Sequence, residues 1–266
     1  MALSRKSSLV LKFETGAATH VGKVRRANED SYVVRPEIGL WAVADGVGGH
    51  EGGQLASQTV AGDVASIGAA VSATDQLARF KDRVLRANDR IKQVAADRGG
   101  ATIGTTVAAV LAFGHSYTCV WAGDSRVYRI RDDSITQLTR DHTEAQELVD
   151  NGLLSPEQAK SWPRRNVITR AIGIFDDPEL EVETGSIEPG DTFVVCSDGL
   201  TGHVADADIR DLVKQLRAQD ACDSLVALTL DRGASDNVTV VVVKCHGAER
   251  TNYIPASEQD APGPGQ

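Results

Sequence analysis

The sequence predicts an α+β fold in which two antiparallel sheets are stacked on each other and flanked by helices. Segments of alternating apolar and polar residues, rich in Val, Thr and Tyr, recur along the chain and indicate strands. Tight turns join several of them, so neighbouring strands should pair antiparallel. Helical periodicity lies in separate blocks, which favours α+β over alternating α/β. The strands outnumber what one twisted sheet holds comfortably, so two sheets are expected.

The alternating segments define the predicted strands. Residues 113–116 and 131–134 are short turns that should close hairpins, and residues 123–126 likewise turn one strand into the next. The predicted strands cover residues 17–21, 32–35, 40–44, 105–113, 117–121, 127–131, 135–138, 180–186, 192–196 and 238–244.

Helical spacing of apolar residues marks the predicted helices. Asp206 precedes an apolar stripe and is expected to be the N-cap of its helix. A last helix is expected over residues 223–230. Two earlier helices are indicated by apolar residues three or four positions apart, at Ala56, Val60, Val64 and Ile67 and at Leu77, Phe80, Val84, Ala87 and Ile91.

The chain is interpreted as one domain over residues 15–247. Residues 1–14 are expected to be an N-terminal extension, and the polar, Pro/Gly-rich residues 248–266 a disordered tail. Residues 142–175 interrupt the strands with two short predicted helices, one of which starts at the capping box Ser155-Pro156-Glu157-Gln158. Insertions of this size are often lids or binding loops.

The composition excludes several classes of function. A net charge of −9 over 266 residues leaves no electrostatic footprint for nucleic acid or an anionic membrane. An anionic substrate would have to be attracted by bound metal or by a local arginine. The N-terminal apolar stretch Leu9-Val10-Leu11 is too short for the core of a signal peptide, and no apolar run approaches the length of a membrane span, so a cytoplasmic protein is expected. The four widely spaced cysteines are expected to be reduced core thiols.

Aspartates at the ends of predicted strands are the candidate metal ligands. Asp45, Asp198 and Asp236 each lie where a strand meets a turn, and Asp124 lies between two strands. Each alone is equally consistent with an ordinary turn or cap residue. Gathered in one place, such carboxylates repel by roughly 4 kcal/mol per pair at about 4 Å and would need a cation. Carboxylates, together with a backbone carbonyl such as that of Gly46, suit hard cations such as Mg²⁺ and Mn²⁺.

Arg25 lies four residues before Glu29, close in sequence to this acidic set. It could be a salt-bridge partner of a carboxylate, or its planar guanidinium could hold phosphate oxygens. His50 follows the glycines after Asp45 and could reach the site. The histidines show no spacing typical of zinc.

Seven motifs together resemble the metal-dependent protein phosphatase family, type 2C (PPM), in its bacterial branch. The resemblance covers residues 15–245, and no single motif is specific, whereas the whole set in this order is. The motifs are Val-Arg-Arg-Ala-Asn-Glu-Asp-Ser, Ala-Asp-Gly-Val-Gly-Gly-His, Gly-Ala-Thr-Ile-Gly-Thr-Thr, Ala-Gly-Asp-Ser-Arg-Val-Tyr, Leu-Thr-Arg-Asp-His, Ser-Asp-Gly-Leu and Ser-Asp-Asn-Val-Thr.

The resemblance implies an α-β-β-α sandwich with a metal centre at one end of the sheets. It implies that Asp45 bridges two Mn²⁺ or Mg²⁺ ions, that Asp198 and Asp236 hold one of them, and that the Gly46 carbonyl holds the other. By the same resemblance Glu29 and Asp30 act on that second ion largely through water, and Asp124 with Asp198 holds a third ion. Arg25 would grip the substrate phosphate, and residues 142–175 would form a flap beside the site.

One position departs from the pattern of the animal relatives, which carry a histidine directly after the Asp-Gly pair. Val47 stands there in this chain. That histidine is proposed to protonate the leaving group, so the general acid here is open between a metal-bound water and His50.

The implied activity is hydrolysis of phosphoserine and phosphothreonine in proteins by a metal-activated water, opposing a protein kinase. Asp45, Asp198 and Arg25 would be its catalytic residues, and no cysteine nucleophile is needed. The expected partners are phosphoproteins and a cognate Ser/Thr kinase, with the enzyme itself a monomer. Two alternatives are a non-catalytic relative that binds a kinase or scaffold and a metal-dependent hydrolase of small phosphoesters.

Overall fold

The computed structural model describes residues 9–48 and 52–249. In these residues the strands form two antiparallel sheets, one of five strands and one of six. The first sheet has the order β1 (Leu9–His20), β11 (Val238–Glu249), β10 (Thr192–Cys196), β7 (Arg126–Arg131) and β8 (Ser134–Gln137). The second has the order β2 (Asp30–Arg35), β3 (Leu40–Val47), β5 (Val107–Phe113), β6 (Ser116–Ala122) and β9 (Glu181–Ser186), and the short β4 (Gly104–Thr105) pairs with β3.

Helices cover the outer face of each sheet. The second sheet is covered by α1 (Gly52–Ala65) and α2 (Ala73–Asp97), and the first by α5 (Asp198–Thr201), α6 (Asp206–Gln215) and α7 (Ala218–Asp231). The four layers confirm the predicted α-β-β-α sandwich and the α+β class. Two further helices, α3 (Glu144–Asp150) and α4 (Pro156–Lys160), lie in the inserted segment.

The interior between the two sheets is filled by large apolar side chains. Trp41 is fully buried and its ring meets Phe13 edge-on at a centroid distance of 5.0 Å, while its Nε1 donates to Thr15 Oγ1. Tyr117 and Phe193, on opposite sheets, make a similar edge-on contact at 5.1 Å. Such contacts hold the two sheets face to face.

The outer layers follow from the apolar stripes of the helices. Phe80, Val84, Ala87 and Ile91 of α2 are all buried against the second sheet, as their spacing predicts. The four cysteines are buried and free, which confirms the prediction of reduced core thiols. Burial raises the pKa of Cys196, Cys222 and Cys245 to about 12, so these thiols are unreactive near neutrality.

The predicted start of the first strand is wrong. β1 begins at Leu9 rather than at residue 17, and it pairs along its whole length with β11, which itself runs on to Glu249. The sheet therefore includes residues 9–14, which the sequence assigned to an extension. Leu11, Phe13 and Ala17 pack against the core between the sheets and alternate with Lys12, Glu14 and Gly16, so the strand pattern itself extends N-terminal of residue 17. Residues 250–266 of the predicted tail lie outside the described residues.

Four other local predictions need correction. α7 begins at Ala218 rather than residue 223, and Asp206 is the first residue of α6, where Ala205 occupies the cap position without a capping side chain. The predicted strand 105–113 is divided at Thr106 into β4 and β5. The turn at 123–126 carries the chain from one sheet to the other, because β6 and β7 belong to different sheets.

The inserted segment contains the two short helices predicted for it. Ser155 and Gln158 form the expected capping box at the start of α4. Both ends of the insertion are tied together, because Thr143 and Ile168 form an antiparallel bridge and Thr169 N–H donates to His142 O. None of the helices in residues 9–48 and 52–249 is long and apolar enough to cross a membrane.

Candidate metal centre

The acidic motifs meet at one end of the sandwich. Asp30, the first residue of β2, lies opposite Asp45 near the end of β3 in the antiparallel register. β10 of the other sheet ends at Cys196, and Asp198 follows it directly. Antiparallel pairing and the stacking of the sheets therefore bring together residues that are up to about two hundred positions apart in the sequence.

Asp30 is a buried carboxylate that is only half satisfied by the protein. Its Oδ2 accepts a hydrogen bond of 2.8 Å from Ser197 Oγ, whereas its Oδ1 is buried and has no hydrogen-bond partner. Burial is the main reason that the pKa of Asp30 rises to about 6. A buried oxygen without a donor is unusual and indicates a place for a cation or a solvent molecule.

Asp45 is held in place through its backbone. Its N–H donates to Thr106 Oγ1 at 3.0 Å, and its carbonyl accepts from Thr106 N–H at 2.8 Å and from Thr105 Oγ1 at 2.8 Å. Gly46 has no room for a side chain, because a Cβ there would lie 2.3 Å from Gly53 O. The glycine is thus required for the close approach of the two backbones.

Asp198 is the first residue of the single-turn helix α5, whereas the sequence predicted a turn at Ser-Asp-Gly. The neighbouring Ser197 does not cap this helix. Its Oγ instead donates to Asp30 and accepts from Thr239 N–H, thereby linking both sheets. Gly199 is again needed for close approach, since a Cβ would lie 1.8 Å from Asn237 O.

Asp124 is buried in the turn that crosses between the sheets. The residues after it are held by Arg126, whose guanidinium donates to both oxygens of Asp141 at 2.6–3.1 Å and to Tyr128 Oη at 3.0 Å. This bidentate pair ties the turn to the start of the inserted segment. The sequence reading assigned no role to Arg126 or Asp141; the paired charges in Gly-Asp-Ser-Arg and Thr-Arg-Asp-His were the available signal.

Asp236 pairs with Arg25, whose Nη2 donates to Asp236 Oδ2 at 2.6 Å. Of the two roles considered for Arg25, the structure thus contains the salt bridge, and the bond to Asp236 raises the pKa of the guanidinium. Asn237 holds the loop that carries Arg25 and Glu29. Its Nδ2 donates to the carbonyls of Val21 and Ala27, and its Oδ1 accepts from Glu29 N–H at 2.8 Å.

The carboxylates influence one another strongly. Burial, followed by the charges of its acidic neighbours, raises the pKa of Asp45 well above its usual range. Burial and then the charge of Asp198 raise the pKa of Asp124, while burial and then Asp236 raise that of Asp198. The acidic neighbours whose charges act on Asp45 are Asp30, Asp198, Asp124 and Asp236. These four aspartates therefore lie close enough to Asp45 for their charges to change its pKa.

This donor set fits a hard divalent cation. Carboxylate oxygens and a backbone carbonyl are the ligands that Mg²⁺ and Mn²⁺ prefer, and the unpartnered Asp30 Oδ1 lies among them. In the described part of the chain, no three His, Cys, Asp or Glu side chains already form a group that could hold an ion. Binding would therefore have to draw the carboxylates closer together, which a divalent charge favours.

A cleft of about 700 Å³ lies between these carboxylates and the inserted segment. Asp124, Asp198 and Asp236 line one side of it. The other side is lined by residues of the segment predicted as a flap, namely Thr143, Ala145, Gln146, Val149, Pro156, Ala159, Lys160, Arg165 and Asn166. Val47 ends β3 next to Gly46, whereas His50, considered above as a general acid, lies outside the described residues.

A family model described as "Protein phosphatase 2C" matches residues 22–239. The chain belongs to the protein phosphatase 2C family. The match contains all the predicted site residues from Arg25 to Asp236, in agreement with the bacterial PPM resemblance of the sequence.

Three matches to known sequences and structures support this assignment. The serine/threonine protein phosphatase PstP of Mycobacterium tuberculosis is 38% identical over 237 residues. The match covers 88% of this chain and 45% of PstP, so this chain spans less than half the length of PstP. The structure of PppA, a regulatory component of T6SS in Pseudomonas aeruginosa, is 38% identical with a TM-score of 0.84, over 90% of this chain and 100% of that one. The PstP catalytic domain in complex with two manganese ions is 34% identical with a TM-score of 0.80, over 90% and 100%.

Proposed function

We propose that this protein is a metal-dependent serine/threonine protein phosphatase. The observation that carries the proposal is that five aspartates meet at one end of the sandwich, next to an open cleft. Four of them, Asp30, Asp45, Asp124 and Asp198, have raised pKa values, and the fifth, Asp236, is paired with Arg25. Relatives that carry the name serine/threonine protein phosphatase, over nearly all of this chain, support the same activity.

The proposed ligands are the residues gathered at this end. Asp45 would bridge two ions, Asp198 and Asp236 would bind one of them, and the Gly46 carbonyl would bind the other. Glu29 and Asp30 would act on that second ion through water, and Asp124 with Asp198 would hold a third. Bound Mn²⁺ or Mg²⁺ supplies a strong positive charge and lowers the pKa of coordinated water towards ~7.

The protein's own residues would bind and orient the substrate. Arg25 is 55% exposed and lies at the rim beside Asp236, from where its guanidinium can donate to the oxygens of a phosphate. In a chain with a net charge of −9, such a group helps to offset repulsion of an anionic substrate. The inserted segment forms the opposite wall of the cleft, where it can contact the peptide on either side of the phosphorylated residue.

The proposal extends to partners and location. The substrates would be phosphoserine and phosphothreonine proteins in the cytoplasm, modified by a cognate Ser/Thr kinase, and the enzyme would act as a monomer.

The test is Mn²⁺-dependent hydrolysis of a phosphothreonine peptide by the purified chain and by Asp45→Asn. We expect turnover that EDTA abolishes and Mn²⁺ restores, and a loss of at least about a hundredfold in Asp45→Asn, because one centrally placed charge is removed. Circular dichroism of both proteins checks that the fold is retained. Activity that persists in EDTA, or full activity in Asp45→Asn, contradicts the proposal.

The same assay separates the two alternatives. A binding-only relative would bind Mn²⁺ without turning over any phosphopeptide. A hydrolase of small phosphoesters would prefer a nucleotide or p-nitrophenyl phosphate over phosphoserine and phosphothreonine peptides by its kcat/KM.

A further inference from the structure

The Gly-Thr-Thr run at residues 104–106 lies directly against the carboxylates, although it carries no charge. Thr106 is fully buried at the break between β4 and β5. Its N–H donates to Asp45 O at 2.8 Å, and its Oγ1 accepts from Asp45 N–H at 3.0 Å. One residue therefore fixes both backbone polar groups of Asp45.

Thr106 also touches both neighbours of Asp124. Its Oγ1 lies 2.7 Å from Ser125 Oγ, in a hydrogen bond between two buried hydroxyls. Its methyl group lies against Gly123, where an added Cβ would be 2.5 Å from Thr106 Cγ2. Gly123 also has a φ of +108°, which residues with side chains rarely adopt. Both the lack of space and the backbone conformation therefore favour glycine at this position. Asp45 on β3 and Asp124 in the crossing turn are thus connected through a single side chain.

We propose that Thr106 and Ser125 are positioning residues that set the separation of Asp45 and Asp124 for divalent cation binding. The inference rests on the proposed function for the identity of the ligand. Neither hydroxyl has to touch the ion, because Thr106 Oγ1 is already engaged by Asp45 N–H and by Ser125. Groups that orient ligands in this way typically change metal affinity ten- to a hundredfold when they are removed.

Two substitutions at residue 106 separate the hydroxyl from the methyl group. Thr106→Val keeps the shape and the methyl contact with Gly123 but leaves the Asp45 N–H without its acceptor. Thr106→Ser keeps the hydroxyl and loses the methyl. Ser125→Ala removes the other end of the link and leaves Asp45 bonded to Thr106. If the hydroxyl positions the carboxylates, valine and alanine weaken binding and serine does not.

The experiment is calorimetric titration of Mn²⁺ alone into the whole chain after EDTA treatment and dialysis. We expect Thr106→Val and Ser125→Ala each to weaken Mn²⁺ binding about tenfold or more, and Thr106→Ser to stay within about twofold of the unchanged chain. The double variant should be no weaker than Thr106→Val, since both changes break one link. Thr118→Val is the matched control, because it changes a buried threonine near the other end of β6.

Thermal unfolding in EDTA checks the fold of each variant, and Ser125→Ala carries the test if Thr106→Val unfolds. An unchanged isotherm in a folded Thr106→Val, a loss in Thr106→Ser equal to that in Thr106→Val, or additive losses in the double variant overturns the inference. A chain that binds Mn²⁺ with the expected pattern but hydrolyses no phosphopeptide overturns the proposed function and leaves the inference standing. If the chain hydrolyses phosphopeptides and a folded Thr106→Val binds Mn²⁺ normally, the inference is overturned and the proposed function stands.

Discussion

The two ends of the sandwich treat buried carboxylates in opposite ways. At the end away from the cleft, the fully buried Asp191 accepts from Arg131 Nε and Nη2, both at 2.7 Å, and from Glu188 N–H at 2.8 Å. At the cleft end, Asp30 has one oxygen bonded to Ser197 and the other without a partner. The charges that act on Asp30 there belong to two further carboxylates, Asp198 and Asp236.

The difference between the two ends is the presence or absence of a counter-charge, which distinguishes a carboxylate that stabilises the fold from carboxylates suited to binding a cation. Asp191 has its counter-charge within the protein, so its burial is compensated when the chain folds. The cleft-end carboxylates oppose one another, and Arg25 at the rim, which pairs with Asp236, offsets only part of that repulsion, so that a bound cation would relieve the rest. We therefore expect removal of a buried carboxylate to destabilise the protein at the end away from the cleft and to stabilise the metal-free protein at the cleft end.

Removing the carboxylate at the compensated end should have the largest effect on stability. Asp191→Ala is expected to lower the free energy of unfolding by about 3 kcal/mol, because it leaves the partly buried Arg131 without its main partner. Urea denaturation with and without Mn²⁺ measures the loss, which should not depend on the metal. Glu188→Gln is the control, since that carboxylate is largely exposed and should matter by no more than about 0.5 kcal/mol. Equal losses in the two variants would remove the basis of the comparison.

The pH dependence of stability at the cleft end should carry the opposite sign to ordinary acid denaturation. Because the pKa of Asp30 is about 6 in the folded chain and ~3.9 in an unfolded one, the folded state retains a proton that the unfolded state has lost. This contribution is present below pH ~4 and is lost as the pH rises through about 6. In EDTA, the free energy of unfolding of the unchanged chain should therefore fall by about 2 kcal/mol relative to Asp30→Asn over this range. A difference that is flat or rises with pH contradicts it.

Neutralising one central carboxylate should stabilise the metal-free protein. Asp45→Asn is expected to raise the free energy of unfolding in EDTA at pH 8 by about 1 kcal/mol, because it removes a charge that burial and four like charges disfavour. With saturating Mn²⁺ the order should reverse, since only the unchanged chain gains the binding free energy. Thermal unfolding under both conditions checks this. Destabilisation of Asp45→Asn in EDTA would show that the carboxylate is compensated after all.

The salt bridge at the rim should contribute least to stability. Arg25 and Asp236 are 55% and 36% exposed, so Arg25→Ala should change the free energy of unfolding by no more than about 0.5 kcal/mol. The KM for a phosphothreonine peptide should nevertheless rise, with Mn²⁺ affinity unchanged, if the guanidinium binds phosphate. Arg25→Lys is the matched variant, because it keeps the charge and loses the planar donor pair. A normal KM in Arg25→Ala would assign this arginine to the salt bridge alone.

Much of the fold could be predicted because the apolar pattern of a strand, whether alternating or continuous, is a local property of the sequence. The core strands have one face between the sheets and one face under helices, and both faces appear in the sequence as runs of Val, Ala and Trp. The alternation of Leu11 and Phe13 with Lys12 and Glu14 was a signal for β1 that the prediction missed, whereas its exact start at Leu9 is visible only from the pairing with β11. The change of sheet at 123–126 was also hidden, because a turn has the same sequence whether it joins partners or layers.

At the candidate site, the charged residues were visible in the sequence and their supports were not. Asp45, Asp124, Asp198 and Asp236 stand beside strand ends, and the structure brings them to one end of the sandwich, while their role as ligands stays a prediction. Ser197 and Asn237 act through contacts with residues about 170 and 210 positions away, which only the register of the sheets creates. Thr106 was part of a recognised motif, but its contact with Asp45 depends on the break between β4 and β5.

The most direct measurement is a crystal structure of this chain grown with Mn²⁺, with the ions located from their anomalous signal. The account predicts manganese at the cleft end, within about 2.0–2.3 Å of oxygens from Asp45, Asp198 and Asp236. Manganese found elsewhere, or these three side chains pointing apart with no ion among them, would contradict it.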